Sequence, residues 1–243
     1  MHPIVKTVST LVYGGDIDQA ERALVLLADE EGDRALANVI EALPPRDVVA
    51  ILREHDSSKT SVISELISPE QFLAAVSLEK GYKDRGHDAL KGMINAVLFA
   101  DDRRTDAFIE ALGSSEAGLD ALVDYFRDRH EEVEHFFRHG TFALFPEGEF
   151  DVIGISGTDD LLDADLDDAD GPEHGALSEV QDGDWRELAW RLRCEHYEIF
   201  RVVLELLRAR RRAALAAPAP LAASKGVPGG DEEEDEDDGD DVL

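Results

Sequence analysis

Apolar residues recur every three to four positions through almost all of the first 139 residues, in short stretches separated by polar turns. This spacing predicts helices over 3–13, 17–29, 32–43, 45–55, 59–67, 69–79, 88–100, 104–112 and 116–138. Most are about three turns long, a length that is marginal for an isolated helix, so packing on neighbours must stabilise them. Sustained two-residue alternation is missing; only "GEFDVIGIS" reads as a short extended piece. The fold class is therefore all-α.

Two of the helix starts share a grammar. In "ISPEQF" Ser68 sits at the N-cap, Pro69 at the first helical position, where its missing N–H costs nothing, and Gln71 three after the cap, completing a capping box. Ile67 and Phe72 flank the start as a hydrophobic staple. In "LPPRDV", 24 residues earlier, Leu43 and Val48 form the same staple, Pro45 takes the first position and Asp47 replaces Gln71, while Pro44 has no side chain to cap with. Between them Val62, Ile63, Leu66 and Ile67 mark one further helix after the "DSSKTS" turn. Two short helices per unit suit a helix-hairpin repeat that buries its apolar face by stacking, with an irregular bundle as the alternative.

The succession Leu-Pro-Pro, short helix, polar turn, short helix, Ser-Pro-Glu, short helix resembles the intracellular N-terminal domain of the magnesium transporter MgtE and bacterial proteins sharing that module. It covers residues 31–80 and extends more loosely to 139. The resemblance implies a right-handed superhelical stack of short helices used for regulation or interaction. It implies neither transport, since no transmembrane helices are present, nor any particular cation ligand.

Beyond residue 139 the pattern changes, dividing the chain into 1–139, 140–183, 184–216 and 217–243. Residues 140–183 read as a connector and acidic loop, with Phe142, Leu144, Phe145 and Phe150 able to pin the connector to the helical body. A long helix is predicted from about 184 to 215, with Trp185, Leu188, Leu192, Ile199, Val203 and Leu206 on one face and Phe200 and Leu207 widening it. Roughly 45 Å long, it can lie across several short helices or pair with a second copy as a homodimer. Residues 217–243 have the composition of a disordered acidic tail.

Charge narrows the functions. With 55 acidic against 24 basic residues the net charge is −31, which disfavours nucleic acid as a partner. The excess is concentrated: fourteen Asp and Glu but no Lys or Arg lie between Arg138 and Arg186, and "DEEEDEDDGDDVL" holds ten carboxylates in thirteen residues. A single cysteine, Cys194, fits a reducing compartment and supports neither an internal disulfide nor a thiolate metal site. No stretch approaches a membrane span or a signal peptide, so membrane insertion is not expected and the expected location is cytoplasmic.

Candidate chemistry is sparse. Asp163, Asp165 and Asp167 stand at the first, third and fifth positions of a calcium loop, but the sixth and twelfth are Asp168 and His174 rather than Gly and Glu. Two readings stand for this loop, a solvated acidic segment and a weak Mg or Ca site. Glu131, His135 and His139 are spaced by four on one helix face, with Glu132 beside them. They read either as metal ligands or as a solvated polar face, whereas His130 falls on the apolar stripe and reads as a core histidine.

Arg208, Arg210, Arg211 and Arg212 crowd a helix end, where they complement the helix dipole and offer a place for the acidic tail to fold back. Cys194, Glu195 and His196 are contiguous on a predicted helix and so fan over different faces. No nucleophile elbow, P-loop or dinucleotide turn appears, so the expectation is a non-enzymatic protein without a cofactor that holds a protein partner. A divalent-cation-responsive regulator and an enzyme of unknown type are the alternatives.

Overall fold

The computed structural model describes residues 2–54, 61–82, 87–142 and 175–216. These residues form an all-α fold: α1 (Pro3–Tyr13), α2 (Ile17–Glu31), α3 (Asp33–Ala42), α4 (Pro45–Glu54), α5 (Val62–Leu66), α6 (Pro69–Glu79), α7 (Asp88–Leu98), α8 (Asp102–Gly113), α9 (Glu116–Phe126), α10 (His130–His139), α11 (Trp185–Glu195) and α12 (Tyr197–Ala216). Among the described residues there is no β-strand, and no helix is long and apolar enough to cross a membrane. The "GEFDVIGIS" piece, the "DSSKTS" turn apart from Ser61, the loop with Asp163, Asp165 and Asp167, and the tail from 217 onward lie outside the described residues.

The two look-alike helix starts are neighbours in space, because α4 and α6 pack on each other. Both staples are buried, Ile67 with Phe72 and Leu43 with Val48. Removing such side chains from water contributes roughly 1.5–3 kcal/mol each. Ser68 Oγ accepts from the Gln71 backbone N–H at 3.2 Å, as the cap grammar requires. The reciprocal half of the capping box is not made. Gln71 Nε2 instead donates to the Ile40 carbonyl at the end of α3, 2.5 Å away. Asp47, at the equivalent position of α4, also turns to another helix and accepts from Ser9 Oγ of α1 at 2.6 Å. In both places the residue three after the cap position ties the helix start to a neighbour.

Helix α6 is central, packing against α4, α7, α8 and α9, with Phe72 meeting Phe108 of α8 edge to face at 5.3 Å. At the other end of α6 the buried Glu79 faces Arg53 of α4 at 3.3 Å. At the end of α2, Gly32 takes a φ of +86°, a conformation side chains resist, and so allows α3 to begin one residue later.

Two predicted helices are broken. The stretch expected as one helix over 116–138 divides at a 3-10 turn, Arg127–Arg129, which offsets α10 from α9. His130 consequently stands half-exposed at the start of α10, with Nδ1 at 3.2 Å from the Arg127 carbonyl, and is not a core histidine. The long C-terminal helix is interrupted at His196, whose backbone (φ −130°, ψ 49°) ends α11, while its carbonyl accepts from Ile199 and Phe200 in the first turn of α12. The chain on either side of the interruption meets α8, through His196 at Asp106 and through Ile199 at Gly113. At Gly113 a Cβ would stand 2.3 Å from the Ile199 Cδ1, so no other residue permits that approach unchanged.

Candidate functional site

The C-terminal helices are held to the body by charge as well as by apolar contact. Arg208, with only 5% of its side chain exposed, donates from Nε to Glu134 Oε2 at 3.0 Å and from Nη2 to Oε1 at 2.5 Å. Arg138 Nε adds a bond to the same carboxylate at 3.1 Å. Arg210 binds both Asp120 and Asp124 of α9, and Lys80, capping α6, binds the same two carboxylates. Burial opposes the charged forms here, pushing the Asp124 carboxyl above its ordinary value and the Arg210 guanidinium below. Their pairing offsets that cost. Arg211 reaches Glu131 at 3.4 Å. The arginine run is thus not a simple complement to a helix end: α12 continues to Ala216 and its last turn carries no basic residue.

Between the Arg127–Arg129 turn and α12 lies a cleft of about 430 Å³ lined by Val123, Arg127, His130, Leu207, Arg210, Arg211 and Ala214. A smaller depression beside it shares His130, Leu207 and Arg211 and runs on to Glu131, Glu134, Leu204 and Arg208. The cleft joins an aliphatic floor to a rim carrying three guanidinium groups. Another cavity, about 560 Å³, is lined by Phe136, His139, Phe142, Gly175, Arg186 and Trp190.

The histidine face of α10 is only partly assembled. His135 and His139 rings lie 4.4 Å apart between centroids, but Glu131 is turned to Arg211 and to His130, 3.7 Å away. Cys194 is half-buried, and removal from water pushes its thiol up to about 11, which leaves it protonated and poorly nucleophilic at neutral pH.

A different trio converges instead. His196 Nε2 lies 3.1 Å from Asp106 Oδ1 of α8, and one ligand atom from each of Asp106, Glu195 and His196 falls within 4.8 Å of the others. The expectation that Glu195 and His196 face apart is overturned by the stop at His196, which sets the two side chains free of helical spacing. Alongside, Arg191 donates to Glu187 at 2.8 Å and to Asp102 at 3.0 Å, and lies 3.7 Å from Glu195. Gln181 Nε2 donates to Asp102 as well, at 3.1 Å.

No family model, curated protein or solved structure matches the chain.

Proposed function

We propose that this chain is a non-enzymatic cytoplasmic interaction protein that holds an acidic segment of a partner protein in the cleft between the Arg127–Arg129 turn and α12. The observation that carries the proposal is the composition of that cleft. Val123 and Leu207 offer an apolar floor with Ala214 at its exposed edge, and Arg127 stands at the rim beside Arg210 and Arg211, whose pairing with Asp120, Asp124 and Glu131 a partner's carboxylates would share, within a chain whose net charge is −31. Elsewhere such a charge repels an acidic ligand, whereas here carboxylates meet forked donors and aliphatic side chains meet the floor. The resemblance of the helix starts to the MgtE N-terminal domain enters as architecture only, a stack of short helices presenting a surface.

Affinity capture with the full-length chain, compared with R127A/R211A, tests the proposal. A direct partner that wild type retains, that the variant loses, and whose dissociation constant rises with salt is the expected result. A partner retained equally by both proteins removes the cleft from the function. Weaker binding by wild type than by a chain lacking residues 231–243 identifies the chain's own acidic tail as a competitor for the same cleft. A change of elution volume in the R127A/R211A variant assigns the cleft to a second copy instead.

A further inference from the structure

We propose that Asp106, Glu195 and His196 form a binding site for one divalent first-row transition ion of the zinc type, independently of the cleft. Each contributes one ligand atom, and they come from elements about 90 residues apart in the chain. Zinc bonds of about 2.1 Å place two ligand atoms about 3.0 Å apart at a right angle and about 3.4 Å apart at the tetrahedral angle. The His196 Nε2 to Asp106 Oδ1 separation of 3.1 Å already meets that requirement. The Glu195 carboxylate, exposed and no more than 4.8 Å from either, closes the remaining gap by rotation about its own side-chain bonds. Three protein ligands leave the fourth position to water, the usual pattern of an open zinc site.

Two further observations support a cation here. The first is local charge. Asp102, Glu187 and Glu195 all pair with one guanidinium, Arg191, while Asp106 faces His196. Arg191 is engaged more closely by Glu187 and Asp102 than by Glu195, so Glu195 leaves it at little cost. The second is the helix stop itself. Residues 194–198 are Cys-Glu-His-Tyr-Glu, with neither glycine nor proline to end a helix. Yet α11 stops at His196, and that stop brings His196 onto Asp106 beside Glu195. An imidazole nitrogen with two carboxylates selects a zinc-like ion over Mg or Ca, which prefer all-oxygen sites. Bound there, the ion links α8 to the junction of α11 and α12.

Calorimetric titration of the full-length chain with zinc chloride, in excess magnesium chloride, tests the site. One saturable equivalent is expected, with affinity lowered in both H196N and E195Q by more than the roughly 10- to 100-fold typical of losing an outer-shell partner. The D163N/D165N/D167N variant should bind as wild type does. Cobalt substituted for zinc should show an imidazole N–H resonance shifted by the metal and lost in H196N. Because His196 also shapes the helix junction, E195Q, at an exposed position, carries the test if H196N misfolds. The proposal is overturned by the lack of a saturable equivalent, by unchanged affinity in E195Q, or by binding that only the acidic-loop variant abolishes.

Discussion

The contact of α6 with α4 and the contact of α12 with α9 and α10 solve one problem, holding a helix against its neighbours, with different proportions of the same materials. The first is closed mainly by buried apolar staples and helix caps, with one guanidinium–carboxylate pair, Arg53 to Glu79, at its far end. The second adds guanidinium–carboxylate pairs to its apolar contact, Arg208 to Glu134, Arg210 to Asp120 and Asp124, and Arg211 to Glu131. Apolar joints are non-directional and tolerate shape changes of similar volume. Ionic joints fix register, because each buried charge becomes a liability when displaced from its partner. In a chain with 55 acidic against 24 basic residues, the arginines gathered on α12 supply the positive partners of this joint.

The apolar joint should give the largest loss. Phe72→Ala, at a fully buried position against Phe108, is expected to lower unfolding free energy in urea by about 3–5 kcal/mol. A loss under about 1 kcal/mol would mean that α6 is not the centre of the core. Arg208→Ala leaves Glu134 buried with only Arg138, and a cost of about 3 kcal/mol is expected, while the paired change R208M/E134L recovers most of it. If the single change costs no more than a surface pair, ~1 kcal/mol or less, the contrast between the two joints fails.

A finer test uses an ionic contact at the surface. At the start of α8, a side-chain hydrogen bond from Arg103 holds the Asp101 carboxyl below its ordinary 3.8. Because the folded value is the lower one, its contribution to stability is complete above 3.8 and is lost as pH falls through the folded value. Carboxyl-carbon NMR should therefore give a midpoint below 3.8 that moves back up in R103A. A midpoint that ignores Arg103 would show that this surface pair contributes nothing to the contrast.

The apolar joints are legible in the sequence because their parts sit side by side: Ile67 and Phe72, or Leu43 and Val48, flank one helix start, and the caps lie between them. The arginine run is equally visible, but its partners lie 74 to 90 residues upstream, where one carboxylate among 55 looks like another. Spacing alone gives no reason to choose Glu134. The two helix breaks were hidden for a related reason. Neither Arg127–Arg129 nor Cys194–Glu198 contains glycine or proline, the residues from which a helix break is ordinarily read. Once α11 is read as continuing through His196, Glu195 and His196 must point apart, so the convergence on Asp106 cannot be seen until the chain is folded. Glu131, His135 and His139 show the converse: regular spacing put them on one face, while Arg211 draws the glutamate away.

The long separation of Arg208 from Glu134 also sets a sequence of events during synthesis. Glu134, Asp120 and Asp124 emerge from the ribosome dozens of residues before Arg208 and Arg210, so the nascent body first presents these acids without the arginines of α12. Lys80 is already there to meet Asp120 and Asp124, but Arg138 alone attends Glu134. Docking of α12 is then a late, long-range closure, slower than the local pairing of α4 with α6. In a growing chain, the arginines of α12 act as the closing fastener on a body that has largely taken shape.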